Sequence, residues 1–276
     1  MFHKNKELAD LSILGKICFD TISTEFSKDN LFKCEKGHSD EFCGVYVEGR
    51  NREINSIEDF AALKSFKLFS KYNYPLYVFC HNPDNFLNNL IDLDNWRIKV
   101  VKIKPLNSLE EYTRFCIESL YFWIKEEKVI TLQGDGFLIK SGYEDYLNRK
   151  DFDYLSAHWL HNARIQIKQD GQWFDFPVES VNIGNGAFSF RKASKMREIS
   201  KRFSSYILRE YGRNDDRIPQ EDLFFTFLGF GYNILKKPQL EQCRDFCLDP
   251  IELSEYNNKV CFGFHYPKYI NEWKRK

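Results

Sequence analysis

The sequence predicts an α/β fold with a mostly parallel central sheet flanked by helices, and three observations carry that expectation. Of 276 residues, 43% are hydrophobic and 17% aromatic, enough to fill one large core. Amphipathic stretches of helical length alternate with short apolar runs in the order strand, helix, strand, the pattern of parallel pairing. No internal repeat, low-complexity tract or Pro/Ser-rich linker interrupts the chain, so a single domain over residues 1–276 is expected.

The run LSILGKICFD, at 11–20, reads as a first strand. SIEDFAALKSFKLFSKY (56–72) reads as an amphipathic helix opened by a Ser56 cap, and YPLYVFC (74–80) as the buried strand after it. WRIKVVKI (96–103) is a further strand, followed by Pro105. In residues 108–127, Ser108 and Glu111 have the spacing of a capping box, and Tyr112, Phe115, Cys116, Leu120 and Trp123 recur at helical intervals. KVITLQGDGFLI (128–139) reads as a buried strand interrupted by a polar, glycine-flanked tip. Beyond it, QIKQDGQWFDF suggests a hairpin turning at Asp170-Gly171, VNIGNGAFSFRK a tight turn leading into a short strand, and 192–211 a helix. The expected division of labour is a nucleotide-sugar-binding half at about 1–140 and an acceptor and catalytic half at about 141–276.

Composition narrows the function. Lys+Arg and Asp+Glu are both 40, so no broad positive field attracts a phosphate backbone and a nucleic-acid partner is not expected. The first apolar stretch is broken by Gly15 and Lys16, which fits neither a secretion signal nor a membrane span. The 8 cysteines are scattered and several lie in apolar runs, as reduced thiols of a cytoplasmic protein do. Cys34, His38 and Cys43 form one cysteine grouping and Cys243 with Cys247 another. Neither holds the tight C-x2-C pair usual in a structural zinc site, so ordinary structural roles are expected.

Four segments could carry chemistry, and each has an ordinary structural reading beside the chemical one. Asp135 lies between Gly134 and Gly136 at the end of a buried strand, where α/β sheets bind ligands. Its carboxylate can hold Mg2+ or Mn2+, or simply close a turn. Gly184, Asn185 and Gly186 form a turn whose backbone can approach a sugar or phosphate, or serve as a plain hairpin. Glu221 and Asp222 precede an apolar helix, either as an electrostatic cap or with one of them as general base for a hydroxyl. His265, after an aromatic strand, suits a metal, a phosphate or a structural hydrogen bond.

Taken in order, LQGDGFLI, FDYLSAHW, VNIGNGAFSFRK, QEDLFF and FGFHYPKY resemble a bacterial family of GT-A-like glycosyltransferases catalogued as a domain of unknown function. That family carries Q-x-D, D-Y-[IL]-x-A-x-W, G-N-G-G-[FL]-S-x-R, E-D and G-F-H motifs, and the resemblance spans about 108–269. It implies a GT-A, Rossmann-like fold with a smaller mixed sheet on the acceptor side. Asp135 would be the metal-binding aspartate of a degenerate DxD motif, with Gln133 in the place of the first aspartate. His265 would complete the metal shell or contact the donor diphosphate. Gln133, Gly134, Gly184, Asn185, Gly186 and Arg191 would line the donor site, with Ala187 where the family has glycine. Glu221 and Asp222 would be the catalytic E-D pair, with Asp222 the base of an inverting transfer, although a retaining enzyme can also place a carboxylate pair near its donor.

The implied cofactor is Mn2+ or Mg2+ and the implied donor a UDP-sugar. The acceptor would be a glycan or lipid-linked glycan, in bacterial surface polysaccharide synthesis. Trp159, Trp173 and Phe174 would suit sugar stacking. The competing reading is a non-catalytic nucleotide-sugar or carbohydrate-binding protein of the same shape. Paired carboxylates also serve metal-dependent nucleotidyl transfer, but no G-x-x-x-x-G-K-[ST] loop is present. Near the C-terminus, Tyr266, Tyr269, Ile270 and Trp273 alternate with Lys268, Lys274, Arg275 and Lys276. Such a tail can rest on the inner membrane face or end as a solvated helix.

Overall fold

A run of β-branched and aromatic residues pairs as strand wherever both of its faces can be buried, and FCGVYVE does so first. The computed structural model describes residues 36–50, 57–83, 97–176, 181–210, 220–248 and 261–265. The strand expected at 11–20, its cysteine Cys18, the Ser56 cap and the basic tail lie outside them. In chain order come strand β1 (Phe42–Glu48), helix α1 (Ile57–Phe69), β2 (Leu76–Cys80) and β3 (Ile98–Lys102). Helix α2 then runs over Leu109–Phe115, widens into a π turn at Cys116–Leu120 and closes at Tyr121–Trp123. Next are β4 (Lys128–Leu132), β5 (Gly136–Leu138), α3 (Tyr143–Asn148), β6 (Tyr154–Ser156), β7 (His158–Ala163), β8 (Ile165–Gln169) and β9 (Gln172–Asp175). The rest are β10 (Val181–Ile183), β11 (Ser189–Lys192), α4 (Ala193–Phe203), β12 (Leu208–Glu210), α5 (Glu221–Gly231), α6 (Leu240–Phe246), β13 (Cys247–Leu248) and β14 (Gly263–His265).

The central sheet has the order β3-β2-β1-β4-β11-β6. Its first four strands pair in parallel, and β11 runs antiparallel to both β4 and β6. The expected mostly parallel sheet flanked by helices is therefore present. A small mixed sheet, β13-β14-β5, and an antiparallel one, β12-β8-β9, complete the main architecture. The core is rich in aromatic side chains, among them Phe42, Phe66, Phe79, Tyr121, Phe188 and Phe225.

Several local expectations are corrected. Cys43 lies within β1, and Cys34 of the same grouping lies outside the described residues. Six cysteines, Cys43, Cys80, Cys116, Cys243, Cys247 and Cys261, are free and buried, and no zinc grouping assembles among the described residues. The predicted reciprocal cap is only half made. Ser108 Oγ accepts from Glu111 N at 3.1 Å, but Glu111 Oε2 accepts from Asn107 N at 2.6 Å, one residue before the cap. The 192–211 helix stops at Phe203, and the chain then turns into β12 to pair with β8. The 128–139 segment is two strands in two different sheets joined by a turn. The Asp170-Gly171 hairpin forms as expected, with both residues at positive φ, 50° and 79°.

Candidate functional site

The central sheet reverses direction at β1. The chain steps outward from β1 to β3, then returns to place β4 on the other side of β1. In an open parallel sheet this leaves a crevice at the strands' carboxyl ends, because the loops that follow depart in opposite directions. The crevice here opens where β1 ends at Glu48 and β4 at Leu132.

Past β4 the chain doubles back at once. Gln133 N donates to Gly136 O at 3.1 Å and Gly136 N to Gln133 O at 2.9 Å, which leaves Gly134 and Asp135 at the tip. Gly136 is required by packing: a β-carbon there would lie 2.5 Å from Ala187 O. Strand β14 pairs with β5 so that His265 stands opposite Gly136. That register brings His265 Nε2 to 3.9 Å from Asp135 Oδ2, with the side chains 11% and 29% exposed. On the other side of the ring, Asn185 Nδ2 meets His265 Nδ1, and Asn185 Oδ1 accepts from Ala187 N at 3.3 Å. The imidazole is thus held with Nε2 toward the carboxylate. Gln133 takes a different partner, its Nε2 donating to Tyr112 Oη at 2.8 Å.

A second group lies one residue further along the 184–186 turn. Gly186 N donates to Asp222 Oδ2 at 3.1 Å, and Leu223 N to Asp222 Oδ1 at 2.7 Å. Asp222 and Glu221 begin α5, where the orphan N–H groups of the first turn favour negative charge. Glu221 Oε1 is ion-paired with Arg191 Nη2 at 3.0 Å. Arg191 also donates through Nε to Ser189 Oγ at 2.8 Å and through Nη1 to Tyr121 Oη at 2.9 Å. Its guanidinium packs over the Tyr154 ring, with 5.1 Å to the centroid. Arg191 is 1% exposed, so it forms the floor of the site and not its open wall. Beside it Thr131, Gln133, Gly186, Glu221 and neighbours line a cavity of about 10 Å3, the size of one water molecule.

Burial, with the charge of Glu221 second, pushes the Asp222 carboxyl up to about 8 from an ordinary 3.8. The folded state therefore holds a proton that the unfolded chain releases near pH 4. The associated stability is complete below that pH and is lost as pH rises through about 8. In Asp222→Asn this pH dependence is expected to disappear. Urea denaturation of both proteins at pH 5, 7 and 9 checks it, and parallel pH curves for the two would refute it.

The structure thus brings together Asp135, His265 and Asn185 as one cluster, and Gly186, Arg191, Glu221 and Asp222 as the next. Gly134 shares the Asp135 turn, and Gly184 directly precedes Asn185. Trp173 is covered by the Arg209 guanidinium, 4.2 Å from the ring, while Phe174 is exposed. Two residues of the crevice escaped the sequence reading. Glu48, 2% exposed, accepts from Arg50 Nε at 2.9 Å and from Nη2 at 2.8 Å, and Arg50 is 61% exposed. The available signal was a carboxylate closing a buried β-forming run just before Gly49.

A model of the family described as a protein of unknown function, DUF5672, matches residues 95–265, more than half of the chain. The chain belongs to this family. The match takes in every cluster residue named above and ends at His265. It leaves out β1, so Glu48 and Arg50 lie outside the part of the chain aligned to the family. No curated protein matches the chain.

Proposed function

We propose that this chain is a metal-dependent glycosyltransferase of the GT-A type. It would transfer a sugar from a nucleotide-sugar donor, a UDP-sugar in our reading, to a glycan or lipid-linked glycan, working on the cytoplasmic side in polysaccharide synthesis. The observation that carries the reading is the Asp135 and His265 pair, 3.9 Å apart and partly exposed at the carboxyl edge of the sheet. An oxygen donor beside an imidazole nitrogen suits Mn2+ better than Mg2+. Among the described residues no third His, Cys, Asp or Glu joins them, so the remaining ligands would have to come from water or the donor's diphosphate. A divalent ion held there would offset the charge of the departing nucleoside diphosphate.

The chain's own residues would do the rest. Asn185 holds the His265 ring in place, and the Gly134-Asp135 tip lets a donor approach closely. Asp222 would take the proton of the acceptor hydroxyl as its oxygen bonds to the anomeric carbon and the bond to the diphosphate breaks on the opposite face. A carboxyl near 8 is well matched to that task, since a base works best when its pKa lies close to the working pH. One observation favours the second reading, a non-catalytic carbohydrate-binding protein: both Asp222 oxygens accept backbone N–H groups, and the side chain is buried.

Titration with MnCl2, then with UDP-sugars, is expected to show binding, with slow metal-dependent release of UDP. In Asp135→Ala, Mn2+ affinity should fall at least about tenfold, the scale on which metal sites respond even to loss of a supporting partner. Mn2+ binding that Asp135→Ala and His265→Ala leave intact would overturn the site. Binding of a donor without release or transfer would support the binder.

A further inference from the structure

Gly186 has no room for a side chain: a β-carbon there would lie 2.5 Å from Glu221 Oε1 and 3.3 Å from Asp222 Cβ. A glycine has little backbone preference of its own, so its hydrogen-bond partners decide where its N–H points. That N–H donates to Asp222 Oδ2, while Asp222 Oδ1 accepts from the adjacent Leu223 N. The direction of Asp222 relative to the crevice therefore depends on what holds Gly186. Its carbonyl oxygen accepts from Thr131 Oγ1 at 3.0 Å and, at the longer distance of 3.4 Å, from Arg191 Nη2.

Thr131 is 7% exposed and stands in β4 opposite Ser189 of β11. Ser189 N donates to Thr131 Oγ1 at 3.0 Å, the two hydroxyl oxygens are 2.6 Å apart, and Arg191 Nε donates to Ser189 Oγ at 2.8 Å. A guanidinium can only donate, and a buried carbonyl needs a donor. Since Gly186 is buried, both needs are met when the bonds run from Arg191 to Ser189, from Ser189 to Thr131 and from Thr131 to Gly186 O. The Thr131 hydroxyl lies nearer to Gly186 O than to Ser189 O, 3.0 against 3.3 Å. Strand pairing alone asks for no hydroxyl at this position, because a valine would suit the ladder equally well.

We propose that Thr131 is a positioning residue for Asp222, holding Gly186 so that its N–H faces the carboxylate and favours the charged, proton-accepting form. Use of that form as a base rests on the transfer reaction proposed above, whereas the chain of hydrogen bonds and its test do not. The charged and titratable groups around Asp222 are Glu221 beside it, Arg191 on β11, Cys116 in the π turn of α2 and Tyr154 on β6. Burial pushes Cys116 and Tyr154 upward, away from neutral pH.

Urea denaturation from pH 5 to 10, on each protein and on its Asp222→Asn counterpart, isolates what Asp222 contributes. In the wild-type chain that contribution should fall as pH rises and level off near 8, where the folded protein also releases the proton. With Thr131→Val the levelling should move up by about half a pH unit or more, because a hydrogen bond to the charged form is weakened. Thr131→Ser keeps the hydroxyl and should level off where the wild type does. Thr131→Cys, similar in size but a weak donor, should behave like the valine variant and carries the test if that variant does not fold. A purely structural role would lower stability equally at every pH and leave the levelling point unmoved. That result, an equal shift in Thr131→Ser, or an Asp222 contribution that never appears, overturns the proposal. The readout needs no turnover, so a chain that releases no UDP sinks the transfer reading alone, and the levelling points still decide the role of Thr131.

Discussion

Replacing Arg191 by methionine is expected to lower the free energy of unfolding by about 3–5 kcal/mol, the largest effect of any single change in this site. The guanidinium is 1% exposed and its partner carboxylate 8%, so removing the cation strands the Glu221 charge in a medium that cannot solvate it. The same change removes donors from Ser189 Oγ and Tyr121 Oη. Pairing it with Glu221→Leu should recover much of the loss, because an apolar pair of similar volume incurs no ion desolvation. Urea denaturation followed by circular dichroism reads the difference, provided the denaturant slope stays constant. A cost under about 1 kcal/mol would mean that the ion pair is loosely held and water-accessible, which would return Arg191 to the donor-contacting role implied by the family resemblance.

Gly136→Ala should be the second most damaging change, and it would act on stability and on the proposed Mn2+ binding together. The added methyl would meet Ala187 O at 2.5 Å, Ala187 C at 2.6 Å and Phe188 N at 2.9 Å, all backbone atoms that cannot rotate away. Either the Gln133–Gly136 turn or the 187–188 segment must move, at a cost of about 1–3 kcal/mol for forced overpacking. Because Asp135 is in that turn and Asn185 leads into that segment, Mn2+ affinity is expected to fall at least about tenfold. Gly171→Ala is the control. Its methyl would meet nothing within 4 Å, although φ is +79°, so it should lower stability modestly and leave Mn2+ binding unchanged. Calorimetric titration with MnCl2 on the three proteins separates the cases. Equal affinity in Gly136→Ala and wild type would show that the turn and the proposed metal site are uncoupled.

Local pattern made part of this molecule legible. Helical spacing located α1 and the first turns of α2, short apolar runs located β2 and β3, and the Asp-Gly pair located the β8-β9 turn. The acidic pair at the start of α5 and the turn holding Asp135 were visible for the same reason, since each depends on residues within a few positions. What stayed hidden depends on distant partners. Nothing within 128–139 announces that the chain leaves one sheet and joins another, because the close approach of Ala187 to Gly136 sets that break. The family resemblance alone places Arg191 at the donor site, and only the fold shows Glu221, Ser189 and Tyr121 enclosing it. The strand β1 was obscured by a Cys and His spacing that drew attention to metal chemistry, and Glu48 with Arg50 went unseen with it.

The place of β4 in the sheet has a consequence for how this chain can be divided. Its two edges are taken by β1, from early in the sequence, and by β11, from well beyond the turn at Asp135. A piece ending near residue 140 would leave the edge of β4 bare from Lys128 to Thr131, with Ile130 and its neighbours able to pair with another chain. The segments before and after residue 140 are therefore not separable folding units, and neither can be exchanged for a homologous part without remaking the seam between β4 and β11.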